Sequence, residues 1–312
     1  MATTSKIQSW LYAFRLRTLP LAFSSIITGS SLALTYCMVN KIAFNWVALM
    51  LCLFTTLLLQ ILSNLANDYG DSEKGTDNDE RIGPIRAVQA GMLSIAEIKK
   101  GIVVTVLLCL LFGVALIYQA TVGLNIKYGL FFLALGLTAI AAAVKYTVGK
   151  NAYGYQGLGD VFVLLFFGLV GVMGSYYLLA HAIHLSLLLP AFTMGAFAAG
   201  VLNLNNMRDR QSDAKAGKNT LVVKIGIDSA KKYHTALIIV GFVASILYVL
   251  LNFTSTMQFL FIITLMLFRK HIVEVWQVED AKEFDPLLKQ LAISTFIFSI
   301  LFGAGMVIGM MG

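Results

Sequence analysis

Charged residues are scarce in this chain of 312 residues: 12% are charged, whereas 58% are hydrophobic. A soluble domain carries about 25% charged residues. The apolar residues lie in long blocks, and a membrane-spanning helix needs roughly 20 of them in succession. The sequence contains about nine such blocks. This scarcity of charge therefore excludes a soluble globular protein and predicts an all-α, multispanning membrane protein.

Cysteine is almost as scarce, with three residues, Cys37, Cys52 and Cys109. Each lies inside an apolar block, and none has a metal-ligand spacing, so we expect buried thiols without a chemical role. The first 20 residues also lack an apolar region followed by a small-residue cleavage site. We therefore expect the N-terminal segment to be mature protein that leads into the first span.

The distribution of basic residues predicts the orientation of the spans. The predicted spans are 19–39, 44–66, 101–120, 127–147, 158–180, 185–206, 234–252, 256–273 and 290–311. Alternate connections are short, and of the 23 Lys and Arg residues only Lys41 and Lys127 fall in them. Because basic residues concentrate on the cytoplasmic side, nine spans place the N-terminus inside and the C-terminus outside. We expect one membrane domain over 1–312, built as similar halves, about 1–150 and 151–312.

Two helix starts have local signals. Ser94 and Glu97 have the spacing of a capping box ahead of the third span. Asp285 followed by Pro286 fits an N-cap with proline in the first turn, which would open the last span.

The first of two acidic clusters ends the second span and reads NLANDYGDSEKGTDNDERIGPIR over 64–86. Asn64, Asn67, Asp68 and Asp71 follow one another at intervals of three, one and three residues. On a helix this spacing places them on one face. The second cluster, NLNNMRDRQSDAKAGKNT over 203–220, ends the sixth span.

The second cluster repeats the pattern, because Asn205, Asp209 and Asp213 are four residues apart and share a helix face. Stacked carboxylates repel one another and call for a cation. Mg²⁺ prefers a few carboxylates together with phosphate oxygens. Basic residues near the clusters can hold the other phosphate oxygens; they are Lys74, Arg81, Arg86, Arg208, Lys215 and Lys218. The sequence thus predicts a metal-bridged diphosphate site, with solvated loop ends as the alternative.

Four blocks, in order along the chain, resemble the intramembrane UbiA-type prenyltransferases and, more narrowly, the 1,4-dihydroxy-2-naphthoate polyprenyltransferases of menaquinone biosynthesis. They are RLRTLPLAF at 15–23, the first acidic cluster, YTVGKNAYGYQGLGDVFVLLFFG at 146–168, and the second cluster with the residues after it. The resemblance implies a helix bundle around a central cavity in a bacterial inner membrane, with cytoplasmic cap loops. It also implies transfer of a polyprenyl group from polyprenyl diphosphate to 1,4-dihydroxy-2-naphthoate, with loss of diphosphate and CO₂.

The resemblance further implies roles for individual residues. Magnesium ligands would be Asn67, Asp68, Asp71, Asp209 and Asp213, and diphosphate would be bound by Lys74, Arg81, Arg86 and Lys218. Catalytic residues would be Asp71, Asp209, Asp213 and Tyr146. The tyrosine is a candidate because Tyr146, Tyr153 and Tyr155 lie at the connection after the fourth predicted span, where an aromatic face can stabilise an allylic cation. Candidates for binding the acceptor are Asn64, Asn203, Asn206, Tyr155, Asp160 and Arg17.

Some alternatives stay open at this stage. Asp160 either orients an acceptor hydroxyl or favours its helix N-terminus. Arg15 and Arg17 either meet the acceptor carboxylate or a lipid phosphate, or anchor the chain at the membrane surface. A transporter with a carboxylate ion site is the rival from another class. Its site would be expected near the bilayer midplane rather than in basic loops. Transfer to 4-hydroxybenzoate or haem fits the motifs less well.

Overall fold

The protein is a bundle of helices in a computed structural model, which describes residues 5–75 and 82–311. The described part contains no strand. Its helices are α1 (Lys6–Phe14), α2 (Leu19–Val39), α3 (Trp46–Glu73), α4 (Ile95–Thr121), α5 (Ile126–Lys145), α6 (Gly159–Ala180), α7 (Leu188–Lys215), α8 (Leu221–Ile225), α9 (Ile227–Leu251), α10 (Leu265–Gln277) and α11 (Phe284–Ile308). Short 3₁₀ segments span Leu16–Thr18, Tyr153–Gln156, Leu185–Leu187, Thr256–Thr264 and Ala281–Glu283.

Eight helices in the described ranges are long and apolar enough to cross a bilayer, namely α2 to α7, α9 and α11. This confirms the prediction of a multispanning all-α protein. The predicted span 256–273 differs, because it is a 3₁₀ segment, Thr256–Thr264, followed by the 13-residue helix α10. The three cysteines are buried and free, as expected.

Tertiary contact explains why the 256–273 region does not begin as an α-helix. A Cβ atom on Gly305 of α11 would lie 2.5 Å from the carbonyl oxygen of Met257, so the two backbones are in direct contact. Beside them the buried Gln258 side chain accepts a hydrogen bond from the backbone N–H of Thr254 at 2.7 Å. The same side chain donates to the carbonyl oxygen of Asn252 at 3.1 Å. These contacts fix a tight turn at the start of the segment.

The two predicted helix starts have different outcomes. Ser94 and Glu97 form the expected capping box at the start of α4. The prediction for Asp285 is wrong, because α11 begins at Phe284, after the 3₁₀ turn Ala281–Glu283. Asp285 therefore lies in the first turn, where its carboxylate accepts a hydrogen bond from Arg208 at 2.6 Å. Pro286 is tolerated there because the first N–H groups of a helix have no partner within it.

Helix α6 packs closely against two neighbouring helices, and its central part is not a regular α-helix. Residues Leu164–Gly174 form a π-helix, which widens the turn and is frequent at functional sites. A Cβ on Gly168 would lie 2.5 Å from the carbonyl oxygen of Ala191 in α7, and one on Gly171 would lie 2.8 Å from Cβ of Ser25 in α2. Glycine at both positions permits this approach, so α2, α6 and α7 surround one space.

Helices α3 and α7 match one another in length, at 28 residues each, and both end in an acidic cluster. The connection after α5 joins the two ends. Its Thr147 carbonyl accepts from Lys74 Nζ at 2.8 Å, and its Tyr155 carbonyl accepts from the Asn219 backbone N–H at 3.0 Å. The acidic ends of the two long helices therefore meet beneath a shared polar cap. The division into similar halves stays a prediction.

Candidate active site

A cavity of about 680 Å³ lies between the ends of α3 and α7 and continues between the helices. One end is ionic and contains residues of both acidic clusters. The rest of its wall is largely apolar, and it comes from α2, α5, α6, α7 and α11. Apolar residues of this wall include Leu21, Ile26, Ala139, Phe162, Phe166, Phe167, Leu202, Leu288 and Ala292.

The first acidic cluster lies within a set of cations. Asp68 is fully buried and forms an ion pair with Arg15, which stands between α1 and α2 in a left-handed backbone conformation with φ of 49°. Asp71, 1% exposed, accepts from Arg86 and, at 2.6 Å, from the hydroxyl of Tyr155. Arg86 also donates to the carbonyl oxygen of Asn67. The negative charge of this cluster is therefore balanced by side chains from two other segments.

The second cluster is balanced in a similar way. Arg208 donates to both carboxylate oxygens of Asp209, at 2.9 and 2.7 Å. It also donates to Asn205 at 2.7 Å and to Asp285 at 2.6 Å. Such a fork of donors fixes the geometry of an arginine strongly. Asp213 pairs with Lys218, at 3.5 Å.

Lys218 and Tyr155 connect the two clusters electrostatically. Lys218 Nζ lies 5.5 Å from the centroid of the Tyr155 ring, whose hydroxyl contacts Asp71. Burial alone would lower the pKa of the Lys218 ammonium, but the charges of Asp71 and Asp213 outweigh it and hold that pKa above its usual range. Lys74 lies 3.8 Å from the same ring centroid, and burial lowers the pKa of its ammonium. Lys218 is therefore a buried cation between carboxylates that favour its charged form.

The two clusters contain oxygen atoms that suit a hard cation. Oδ2 of Asp68 and Oδ2 of Asp213 are buried and have no hydrogen-bond partner within residues 5–75 and 82–311. Carboxylate oxygens are the ligands that Mg²⁺ prefers, and a buried carboxylate oxygen without a partner is costly. In the same ranges no three acidic, His or Cys side chains already converge on one point. The donor set fits a divalent cation, and the site would close around it only after side chains move.

Several predicted residues line the cavity together. They are Asn64, Asn67, Asp68, Asp71, Arg86, Tyr146 and Lys218. Asn64 donates to the carbonyl oxygen of Phe14 at 3.0 Å, so it also anchors the connection between α1 and α2. Tyr146 lies edge-on to Tyr153, with 5.3 Å between ring centroids, and both rings line the cavity.

Other predicted residues lie outside the cavity lining. Asp209 and Asp213 are buried behind it, held by Arg208 and Lys218. Asp160 is buried and accepts a hydrogen bond from the Tyr233 hydroxyl at 3.3 Å, while the N-cap position of α6 is Leu158.

The acceptor role of four predicted residues, Asn203, Asn206, Tyr155 and Asp160, stays a prediction. Asn203 and Asn206 are buried on α7, and Asn203 makes no side-chain hydrogen bond within the part of the chain that the structure describes. Tyr155 contacts Asp71 as described above. Arg81 falls outside the described residues, as does the side chain of Arg17, so their predicted roles also stay predictions.

Three charged or amide residues of the cavity wall, Gln60, Asp285 and Lys289, were missed as site candidates in the sequence. Arg15, as a cation for an anionic group, and Asn205, on the face of the second cluster, were singled out there. Asp285 and Lys289 lie 65 and 69 residues beyond the end of the second cluster at Thr220, and only packing of α11 beside α2 and α7 brings them to the cavity.

Comparisons with known proteins agree with this arrangement. Residues 27–300 match the UbiA prenyltransferase family. The chain is 43% identical over 304 residues to a 1,4-dihydroxy-2-naphthoate octaprenyltransferase of Haemophilus influenzae, covering 97% of both chains. It is also 43% identical over 301 residues to the protein of that name in Escherichia coli, covering 96% of both. A UbiA homologue from Aeropyrum pernix has the same fold, with a TM-score of 0.67 at 14% identity, covering 95% of this chain and 98% of that one.

Proposed function

Because the chain belongs to the UbiA prenyltransferase family, we propose that it transfers a polyprenyl group from polyprenyl diphosphate to 1,4-dihydroxy-2-naphthoate. The products are the reduced, quinol form of demethylmenaquinone, diphosphate and CO₂. The observation that carries the proposal is the cavity, which joins an ionic end made by both acidic clusters to a long apolar wall. A prenyl diphosphate has the same division between charge and hydrocarbon.

The cations at the ionic end are suited to binding a diphosphate. Arg86, Arg208 and Lys218 are nearly buried, and each pairs with a carboxylate of a cluster. An incoming diphosphate brings further negative charge, and these cations can donate to its oxygens while they stay close to the carboxylates. Preorganised donors of this kind stabilise the charge that develops on a departing group.

The apolar wall suits the second part of the reaction. Departure of diphosphate leaves an allylic cation that water would consume, and Phe162, Phe166 and Phe167 help to exclude water from the wall. The faces of Tyr146 and Tyr153 can stabilise the cation. The electron-rich naphthoate carbon that bears the carboxylate forms the new carbon–carbon bond. The electron pair of the bond to CO₂ then returns to the ring, so that step needs no strong base.

We propose Mg²⁺ as the cofactor, held by Asn67, Asp68, Asp71, Asp209 and Asp213. When bound, it would act as a Lewis acid toward diphosphate oxygens. The unpartnered Oδ2 atoms of Asp68 and Asp213 support the assignment. We expect EDTA to abolish turnover and excess Mg²⁺ to restore it, as measured by transfer of labelled prenyl groups in detergent. Full turnover in metal-free buffer would contradict the assignment. Addition of Ca²⁺ in place of Mg²⁺ is the control for a nonspecific effect of a divalent charge.

The function itself is tested with purified protein and carboxyl-labelled 1,4-dihydroxy-2-naphthoate. With Mg²⁺ and polyprenyl diphosphates of several lengths, we expect a prenylated lipid and an equal amount of labelled CO₂. 4-Hydroxybenzoate serves as the competing acceptor and should give little product. Preference for 4-hydroxybenzoate, or product without release of CO₂, would contradict the proposed acceptor.

We also propose that the protein lies in the bacterial inner membrane with its N-terminus and the ionic end of the cavity on the cytoplasmic side. The asymmetry of basic residues supports this orientation. A cysteine introduced at Asn219, which is exposed near the second cluster, should react with an impermeant maleimide only from the cytoplasmic side. One at the exposed Asn125, between α4 and α5, should react only from outside. Labelling of both positions from one side would refute the topology.

A further inference from the structure

Lys289 is a cavity-lining cation that differs from its neighbours. Four other cations line the cavity, Arg15, Arg86, Arg208 and Lys218, and each is paired with a carboxylate of an acidic cluster. Lys289 makes no hydrogen bond or ion pair with any residue in 5–75 or 82–311. It is exposed, so its ammonium is accessible to an incoming anion.

The surroundings of Lys289 explain why it has no internal partner. Asp285, one turn earlier on α11, lies at the helical spacing that allows a pair. Arg208 holds that carboxylate at 2.6 Å, and the side chain of Arg208 is only 3% exposed. The carboxylate nearest along the helix is thus engaged by a more rigid cation, and Lys289 keeps an unneutralised charge at the cavity wall.

The position of Lys289 suits an anion attached to a flat apolar ring. On the same helix face, Leu288 and Ala292 also line the cavity and provide apolar surface beside the ammonium. A long lysine side chain can lie along such a surface and present its charge at the end. A diphosphate, in contrast, needs several convergent donors together with carboxylates for a metal, and those stand at the ends of α3 and α7.

From this geometry we propose that Lys289 binds the carboxylate of the aromatic acceptor and so determines the preference for an acid over a neutral diol. The inference rests on the proposed function, because it assumes an aromatic acid as acceptor. The lysine would act in binding and orientation. A cation that stabilises the carboxylate does not assist loss of CO₂, so the effect should be on acceptor affinity rather than on the chemical step.

The test compares two ligands that differ only in the carboxylate, 1,4-dihydroxy-2-naphthoate and 1,4-naphthalenediol. Binding to full-length protein in nanodiscs is measured by calorimetry, without prenyl diphosphate, so the readout does not depend on turnover. For Lys289→Gln we expect the Kd of the naphthoate to rise at least about tenfold, as for loss of a charged hydrogen bond. The Kd of the diol should stay unchanged. Lys289→Arg should restore most of the naphthoate affinity.

The matched control is Lys282→Gln, which removes an exposed lysine from the turn before α11 and should bind both ligands as wild type does. Equal weakening of both ligands by Lys289→Gln would overturn the proposal, as would unchanged naphthoate affinity. A raised KM for polyprenyl diphosphate with unchanged naphthoate binding would also overturn it and would assign the lysine to the other substrate. If the wild type neither binds nor prenylates the naphthoate, the proposed function itself fails.

Discussion

Replacement of Asp71 by Asn is expected to lower turnover at least about a hundredfold, which corresponds to roughly 2.7 kcal/mol of transition-state stabilisation. The substitution keeps the shape of the side chain and removes its charge. Asp71 is buried and contacts Arg86 and Tyr155, and its charge helps to keep Lys218 protonated. Loss of the charge therefore weakens the proposed metal site and leaves nearby cations without a counter-ion.

The measurement is kcat for prenyl transfer in nanodiscs, together with a melting curve. Because Cys37, Cys52 and Cys109 are buried and free, a thiol-reactive dye can report unfolding directly. Asp228→Asn is the matched control, since Asp228 is exposed at the start of α9, and it should change kcat less than about twofold. An equal loss in the control, or a wild-type kcat for Asp71→Asn, would show that the carboxylate is only part of a polar surface.

The second large effect is expected for Lys218→Met, which should also lower kcat by about a hundredfold or more, in the range of a lost oxyanion donor. Lys218 is 6% exposed and pairs with Asp213 at 3.5 Å. Methionine fills similar space without charge, so Asp71 and Asp213 would lose their shared cation. Lys218→Arg should recover part of the activity because it keeps the charge.

The double variant Asp71→Asn with Lys218→Met separates a shared role from two independent roles. If the two residues act as a unit on the diphosphate, the loss in the double variant should be much smaller than the product of the single losses. Lys232→Met, which removes an exposed lysine from α9, is the control and should be nearly neutral. Strictly multiplicative losses would contradict coupling, and a lowered melting point alone would indicate a structural role for Lys218.

The ion pairs also explain how the buried carboxylates of the ionic end are stabilised within the fold. Unpaired buried carboxylates are costly, and the structure balances them with Arg15, Arg86, Arg208 and Lys218. In the proposed function, the same cations would then be available to an entering diphosphate. That double use would account for the close alternation of acidic and basic residues in the loops that end α3 and α7.

The fold class followed from the sequence alone because a bilayer imposes a simple rule. Backbone groups in lipid must be satisfied within one helix, so long apolar blocks give spans whatever their partners are. The acidic clusters were equally visible, since the helical repeat fixes which of Asn64, Asn67, Asp68 and Asp71 share a face. Capping at Ser94 and Glu97 depends on residues three apart and was also predicted.

Tertiary structure alone decided which polar residues meet. The 3₁₀ segment at Thr256–Thr264 depends on contact with Gly305 of α11, and the burial of Asp209 behind the cavity depends on Arg208. The positions of His234 and His271 in the sequence did not predict the hydrogen bond of 3.0 Å that joins these two buried side chains. Likewise, Lys289 reaches the cavity only because α11 packs beside α2 and α7. Local periodicity determines the face of a helix on which a residue lies, but the packing of distant helices determines what that face contacts.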